Sequence, residues 1–459
     1  MNASNLDLDG VTPEIESQYH PTRMPALRAF ATTIGLLAGF VAMSAGAQEA
    51  PPTNEELARR IEALSQELED REQGGVARPL ESHYGLGPAA SKIYGVERGF
   101  SFGGYGEMLY QDFDQEQENG QASGRNDQID FLRFVLYTGY RFDSRVLFNA
   151  ELEFEHVSTE SGGEVTVEFA HLDFLIDPSC NVRAGLVLVP MGIINEMHEP
   201  PTYFGANRPE VERRLLPTTW SANGAGIFGS GDGRLSGLSY RAYVIESLSS
   251  VGEEKFAADG LRASRQGGSE ALAEDFAIVA RADYARSSLS FGGSAFFGET
   301  SQGASVDLGT GAEEFGAFTS IYEAHAQVRR QGASLRALFA AATVDDVEQI
   351  NAINGYTGNA SVGSRMLGWY AEAGWDVLTA FRPGSQHALS PYARYTELDT
   401  QDEVPAGFVA DPANDLSIFT FGLAYLPHPQ VVAKLDYEIR RNDAATGVDQ
   451  WNLALGFHF

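Results

Sequence analysis

The chain has 459 residues, a formal net charge of −31 and a mean hydropathy of −0.21. Beyond the N-terminal region no run of roughly 18 or more apolar residues occurs, which excludes a helical membrane protein. The acidic balance offers no basic face to nucleic acid. Cys180 is the single cysteine, so neither an internal disulfide framework nor a cysteine metal site exists. Between Asp177, Pro178, Ser179 and Asn181 it reads as an exposed thiol in a tight turn.

In chain order, the first element is an export signal. Arg28 supplies the charged start, Ala29 to Met43 the apolar stretch, and Ala45-Gly46-Ala47 the small-residue site, which predicts cleavage after Ala47. The polar, acidic 23 residues before Met24 do not belong at the front of a signal. Either Met24 is the start or the leader is long. A membrane anchor fits less well, because the apolar core is short and a cleavage site follows it.

From Thr53 to Gln73 the period changes to that of a helix. Leu57, Ile61, Leu64 and Leu68 form one narrow apolar seam, Thr53 and Glu56 a capping pair, and Gly74-Gly75 a stop. Such a seam predicts a short coiled coil that assists trimer assembly; packing against a barrel rim is the alternative. Residues 48–99 are thus expected as a periplasmic helical spacer, after 1–47 as leader and signal.

Beyond Phe100 about sixteen period-two segments succeed one another, within the range that leaves an aqueous channel. Short connections such as Asp143-Ser144, Gly231-Asp232-Gly233, Gln331 and Pro427-His428-Pro429 alternate with long ones. An up-and-down barrel with turns at one rim and loops at the other produces this asymmetry; a soluble sandwich has no reason to keep it. The last segment is the clearest. Trp451, Leu453, Leu455, Phe457 and Phe459 share one parity, and Asn452, Ala454, Gly456 and His458 share the other. An apolar face this aromatic needs either a covering layer or hydrocarbon as its solvent. The 49 glycines, 18 tyrosines and 28 phenylalanines suit the second case. The expected fold is all-β, a transmembrane antiparallel β-barrel over residues 100–459 in a Gram-negative outer membrane, with lipid as its partner.

Parity then decides which charges face water. A lipid-facing Arg or Lys costs about 2–4 kcal/mol near the midplane. Arg133, Arg141, Glu151, Glu153, Glu155, Arg281, Asp283, Glu323, Arg329, Lys434, Asp436, Glu438 and Arg440 are therefore predicted to point inward, lining a wet conduit of both signs. Any one of them has the plainer role of solvating the wall and pairing across strands.

The loop from Pro190 to Trp220 is too long for a hairpin and too rich in proline and apolar residues to stand in water. It is predicted to fold inward as the constriction. Arg208, Arg213, Arg214, Glu196, Glu199 and Glu210 are its candidate selectivity residues, with pinning to the wall as the alternative for each. Glu196, His198 and Glu199 also have metal-compatible types, although loop residues of these types ordinarily just meet water. No cofactor is expected.

Several segments together resemble the phosphate-selective porin O and P family: Gly104 to Glu107, Phe131 to Phe142, Asn149 to His156, Gly192 to Gly205, Asn207 to Glu212, Pro217 to Trp220, Gly368 to Leu378 and Pro391 to Tyr395. A terminal Phe459 likewise resembles the assembly signal of outer-membrane barrels, read by the barrel-assembly machinery. The family implies a homotrimer of sixteen-stranded channels, the third external loop inside the barrel, and phosphate selectivity carried by arginine ladders and a lysine cluster. This chain departs from that pattern: Lys92, Lys255 and Lys434 are its only lysines, and Glu151, Glu153 and Glu155 oppose anions. The expected function is a porin, passively passing small polar or charged solutes, rather than an enzyme. The rivals are a barrel lipase or protease, for which Ser and His show no recognisable pairing, and a non-conducting receptor or adhesin.

Overall fold

The computed structural model describes residues 80–156, 163–309, 311–382 and 384–459. The expected export signal and the helix from Thr53 to Gln73 lie outside them. Within the described residues the chain closes a ring. Its wall begins with β1 (Gly99–Phe113), β2 (Gln128–Arg141), β3 (Val146–Glu155), β4 (Glu164–Asp177), β5 (Cys180–Leu188) and β6 (Ser221–Ser230). It continues with β7 (Leu238–Glu246), β8 (Phe276–Arg286) and β9 (Leu289–Gly298), after which a small hairpin, β10 (Ser305–Asp307) and β11 (Ala312–Glu314), stands outside the wall. The circuit resumes with β12 (Thr319–Arg330), β13 (Ala333–Val344), β14 (Arg365–Trp375) and β15 (Ala388–Glu403), then β16 (Asp415–His428), β17 (Val431–Asn442) and β18 (Gln450–His458). Sixteen strands pair with their neighbours as a closed antiparallel barrel.

Closure is made by β1 against β18, in register from Tyr105 opposite His458 to Phe113 opposite Gln450. At this seam glycine is required. A Cβ on Gly104 would lie 3.0 Å from the Phe459 ring and one on Gly106 2.5 Å from the Phe457 ring, so the two terminal aromatics lie flat over a bare backbone. The Phe459 carbonyl accepts from the Gly104 N–H and the Phe459 N–H donates back, at 3.0 and 2.9 Å. Closure leaves the barrel itself no unpaired edge.

The period of two puts Phe100, Ile278, Phe291, Phe339, Trp369, Phe421, Trp451 and Leu453 outside, exposed, where hydrocarbon is the solvent. Inward alternates are buried. Among the described residues no helix is long and apolar enough to cross a membrane.

Two helices were not anticipated. Asp376 accepts from the Leu378 N–H, which ends β14 and starts the short α2 (Val377–Phe381), preceded in the chain by α1 (Val347–Asn354) in the loop after β13. Gly355, at φ 70°, terminates α1 in the left-handed conformation that favours glycine.

The interior differs more from expectation. One side of the lumen is dry. Val189, Met191, Ile193, Val211, Leu215, Leu216 and Trp220 of the loop after β5, called L3 below, pack against the inward-facing Ile245, Val279, Phe296, Ile321, Leu338, Tyr370 and Leu398. Phe256 and Leu261 of the loop after β7 and Val347 and Ile350 of α1 join the same core. The interior is thus not wet throughout: polar and charged groups share the rest of it with a smaller apolar cluster around Tyr105, Val135, Tyr137 and Phe169.

Candidate functional site

L3, residues 189–220, turns into the barrel because its neck is tied shut by one side chain. Asn195 donates to the carbonyls of Val189 and Trp220 at 2.6 and 3.0 Å and accepts from the Trp220 N–H at 2.8 Å. Buried Glu212 accepts from the Ile193 and Ile194 N–H groups at 2.8 and 2.6 Å and from the Tyr370 hydroxyl at 2.5 Å. A carboxylate taking three donors in a dry setting is a strong anchor, since each bond is charge-assisted.

The far end of L3 reaches the wall made by β1, β2 and β17. Tyr203 donates to Glu107 at 3.1 Å, the Ala206 N–H to Asp436 at 2.7 Å, and Asn207 to Glu438 at 3.1 Å. Lys434 donates to the Gly205 carbonyl at 2.9 Å and lies 3.7 Å from the centre of the Tyr203 ring. From behind, Arg336 and Arg394 donate to the carbonyls of Thr202 and Asn207 at 3.2 and 3.3 Å.

On the side of L3 opposite its apolar anchors lies a cavity of about 600 Å³. Seven arginines line it, Arg125, Arg133, Arg208, Arg213, Arg214, Arg262 and Arg440, against two carboxylates, Glu107 and Glu210. Glu210 holds Arg213, Arg214 and Arg440 at 2.7, 3.0 and 2.9 Å. Burial alone would raise the Glu210 carboxyl, but the opposing pull of Arg440, Arg213 and Arg214 holds it well below the usual carboxylate range. Arg262 donates to the Thr218 carbonyl at 2.7 Å, and burial together with Arg265, Arg208, Arg213 and Arg133 pulls its guanidinium down. Arg208 Nε and Nη2 are buried and have no hydrogen-bond partner among the described residues.

Of the six residues expected at the constriction, Arg208, Glu210, Arg213 and Arg214 come together at this cavity. Glu196 and Glu199 do not. Glu196 pairs with Arg241 at 3.0 Å, near Arg281 at 3.8 Å, and Glu199 accepts from the Ala89 N–H at 2.8 Å. His198 turns a third way, its Nε2 lying 3.1 Å from Glu151. The metal-compatible trio of the sequence thus divides among separate partners.

The expected lumen residues are placed as follows. Arg133 bridges Glu107 and Glu153 at 3.0 and 2.9 Å. Glu151 and Glu153 are thereby occupied by His198 and Arg133, while Glu155 ends β3. Asp283 joins Arg281, Arg241 and His325, and Glu323 pairs with His325 at 2.6 Å. Asp436 also accepts from Tyr392 and Asn452, each at 2.7 Å, and Arg440 pairs with Glu438 at 2.8 Å. Arg141 holds the carbonyls of Tyr94 and Val96 at the rim, and Arg329 stands exposed near the end of β12. Arg262 and Arg125 escaped the sequence reading because they lie on other loops; Arg125 is the single positive charge of its loop, while Arg262 shares its loop with Lys255 and Arg265.

A closed sixteen-stranded wall with an apolar outside, a long loop folded through the interior and a charged cavity beside it define a porin-like barrel of a bacterial outer membrane. Within that class, the chain belongs to the same family as an uncharacterized protein of Aquifex aeolicus (strain VF5), to which it is 36% identical over 362 residues, 77% of this chain and 78% of the relative. No family model matches the chain. Among solved structures it is similar in fold to Salmonella typhi OmpF in complex with daunomycin, at TM-score 0.51 and 12% identity, covering 79% of this chain and 98% of that one. A loop-deleted OmpT of Vibrio cholerae aligns at TM-score 0.49 and 9% identity, over 79% of this chain and all of that one.

Proposed function

We propose that this protein is a passive diffusion channel for small polar solutes whose L3 cavity favours anions, phosphate among them. The observation that carries the reading is the excess of arginine over carboxylate around one cavity in a chain that is otherwise strongly acidic. Fixed positive groups in a partly desolvated passage stabilise an anion and repel a cation at the same point. Of the three glutamates that opposed this in the sequence, Glu151 lies 3.1 Å from His198 and Glu153 pairs with Arg133, while Glu155 ends β3.

Purified protein in a planar bilayer tests the reading. Steady ohmic steps, with a reversal potential of the anion sign in a potassium chloride gradient, are expected. A silent barrel overturns the channel, and a cation sign overturns the selectivity. Three features belong to the same proposal: cleavage after Ala47, assembly as a homotrimer, and Phe459 as the signal for the barrel-assembly machinery. Sizing in detergent reads the second, and export of a chain lacking Phe459 reads the third.

A further inference from the structure

The segment from Leu80 to Arg98 is not a spacer outside the wall. It runs across the inner surface beneath L3. Tyr84 meets the ring of inward-facing Phe228 edge-on at 4.9 Å, and Leu86, Ala89 and Ala90 are buried against Tyr105, Val135, Tyr137 and Phe169. Tyr94 donates to Asp173 at 2.6 Å and accepts from Arg183 at 2.9 Å. Asn149 holds the Ala90 carbonyl at 3.0 Å. A Cβ on the inward-facing Gly139 would lie 3.0 Å from the Ile93 side chain.

It also touches L3 directly. The N–H groups of Ala89 and Ala90 donate to Glu199 at 2.8 and 3.2 Å, and His458 of the last strand grips the same carboxylate. A Cβ on Gly87 would stand 2.4 Å from Glu199 Oε1, and one on Gly85 2.5 Å from Glu196 Oε1. Glu196 and Glu199, two of the three L3 carboxylates that do not line the arginine cavity, are thus met by this one segment. The wall closes without it, since β1 pairs with β2 and β18 alone.

We propose that Leu80–Arg98 is an inner strap that holds L3 in its inward position from the periplasmic side, so that seating or withdrawing the strap sets the width of the passage. This rests on the channel reading above. With the strap seated, Glu199 is satisfied and the L3 turn from Asn195 to Thr202 is fixed. With it withdrawn, two backbone donors leave a buried carboxylate that only His458 still holds, and the turn from Asn195 to Thr202 loses its support on that side.

The test uses the full chain in planar bilayers and in native membranes. Gly87→Val forces the strap off Glu199, whose carboxylate cannot yield without losing the Ala89 and Ala90 bonds. Its mean conductance should rise by about twofold or more as the filled cross-section is freed. Ile93→Cys with Gly139→Cys, in a Cys180→Ser background, should form a disulfide in native membranes, because a Cβ on Gly139 would lie 3.0 Å from Ile93 Cγ1, one bond from the Ile93 Cβ. Oxidising that pair in the Gly87→Val chain should restore the wild-type conductance, and a reductant should release it again. Absence of the cross-link overturns the strap whether or not the protein conducts. Unchanged conductance in both Gly87→Val and Glu199→Gln barrels that still migrate as folded species overturns its control of L3. Silence in the wild type and in every variant defeats the channel reading and the control together, while the cross-link still reads the seating.

Discussion

Arg208→Ala is the substitution that the cavity makes most informative. Arg208 presents a guanidinium whose Nε and Nη2 are buried and make no hydrogen bond to the described residues, so it is in no carboxylate clamp like the one that holds Arg213. An ion passing about 6 Å from a unit charge in water gains or loses ~0.7 kcal/mol. Anion and cation feel opposite signs, so one guanidinium separates them by about 1.4 kcal/mol, close to a tenfold permeability ratio. At 0.1 M salt a Debye length of about 10 Å reduces the factor to roughly fourfold. Arg213 carries the same formal charge, but its side chain is 43% exposed and pinned to Glu210, and water screens it further. The expected order is therefore a fall in anion preference of about fourfold for Arg208→Ala and less for Arg213→Ala. Reversal potentials in a tenfold gradient of potassium chloride, read at low and high ionic strength, measure both. An unchanged ratio for Arg208→Ala, or a larger effect from Arg213→Ala, would refute the assignment of the cavity as the selective region.

Three further outcomes follow from the same geometry. Glu210→Gln removes the one carboxylate shared by Arg213, Arg214 and Arg440, so anion preference should rise by about the same factor while thermal stability falls; reversal potential and unfolding in micelles read the two effects. Because the Glu210 carboxyl titrates below its unfolded range, its ion pairs contribute fully above about pH 4 and are lost only as pH falls further, so selectivity measured from pH 7 to pH 4 should stay flat at this clamp. Glu212→Ala leaves the Ile193 and Ile194 N–H groups and the Tyr370 hydroxyl without an acceptor, at about 1–3 kcal/mol for each. Its melting temperature should drop well below that of Tyr370→Phe, which keeps the carboxylate and its two backbone donors.

The wall was legible in the sequence because lipid outside and protein or water inside impose opposite demands on successive residues. In β3, Phe148, Leu152 and Phe154 alternate with Asn149, Glu151 and Glu153, and the inward members are buried as parity requires. The dry side was not legible. In β12 and β13 the inward Ile321 and Leu338 sit beside the outward Tyr322 and Phe339, so both faces are apolar and alternation no longer reports what the inner face touches. L3 was legible as an inward loop through its prolines and apolar residues, yet the split between Glu210, at the cavity, and Glu196 and Glu199, beneath it, depends on which way a turn points. The strap left still less trace. Gly85, Gly87, Ala89 and Ala90 are small because Glu196, Glu199 and the wall crowd them, and small residues without a period read as a linker.

The dry side explains why the arginines gather where they do. The π-helical turn Val211–Leu215 is amphipathic over a single revolution: Val211 and Leu215 enter the apolar core, while Arg213 and Arg214 face the cavity and reach back three and four residues to Glu210. Gly368 makes room for this turn, since a Cβ there would stand 3.0 Å from the Val211 side chain. Apolar packing on one edge of L3 therefore fixes the position of charge on the other, and leaves the arginine cavity on the side that is not filled. On the proposed channel reading, the residues that exclude water would set selectivity as much as the guanidinium groups that meet it. An arginine moved to the inner wall of β13 near Leu338 would face this core instead of the passage, and would cost stability without changing which ion crosses.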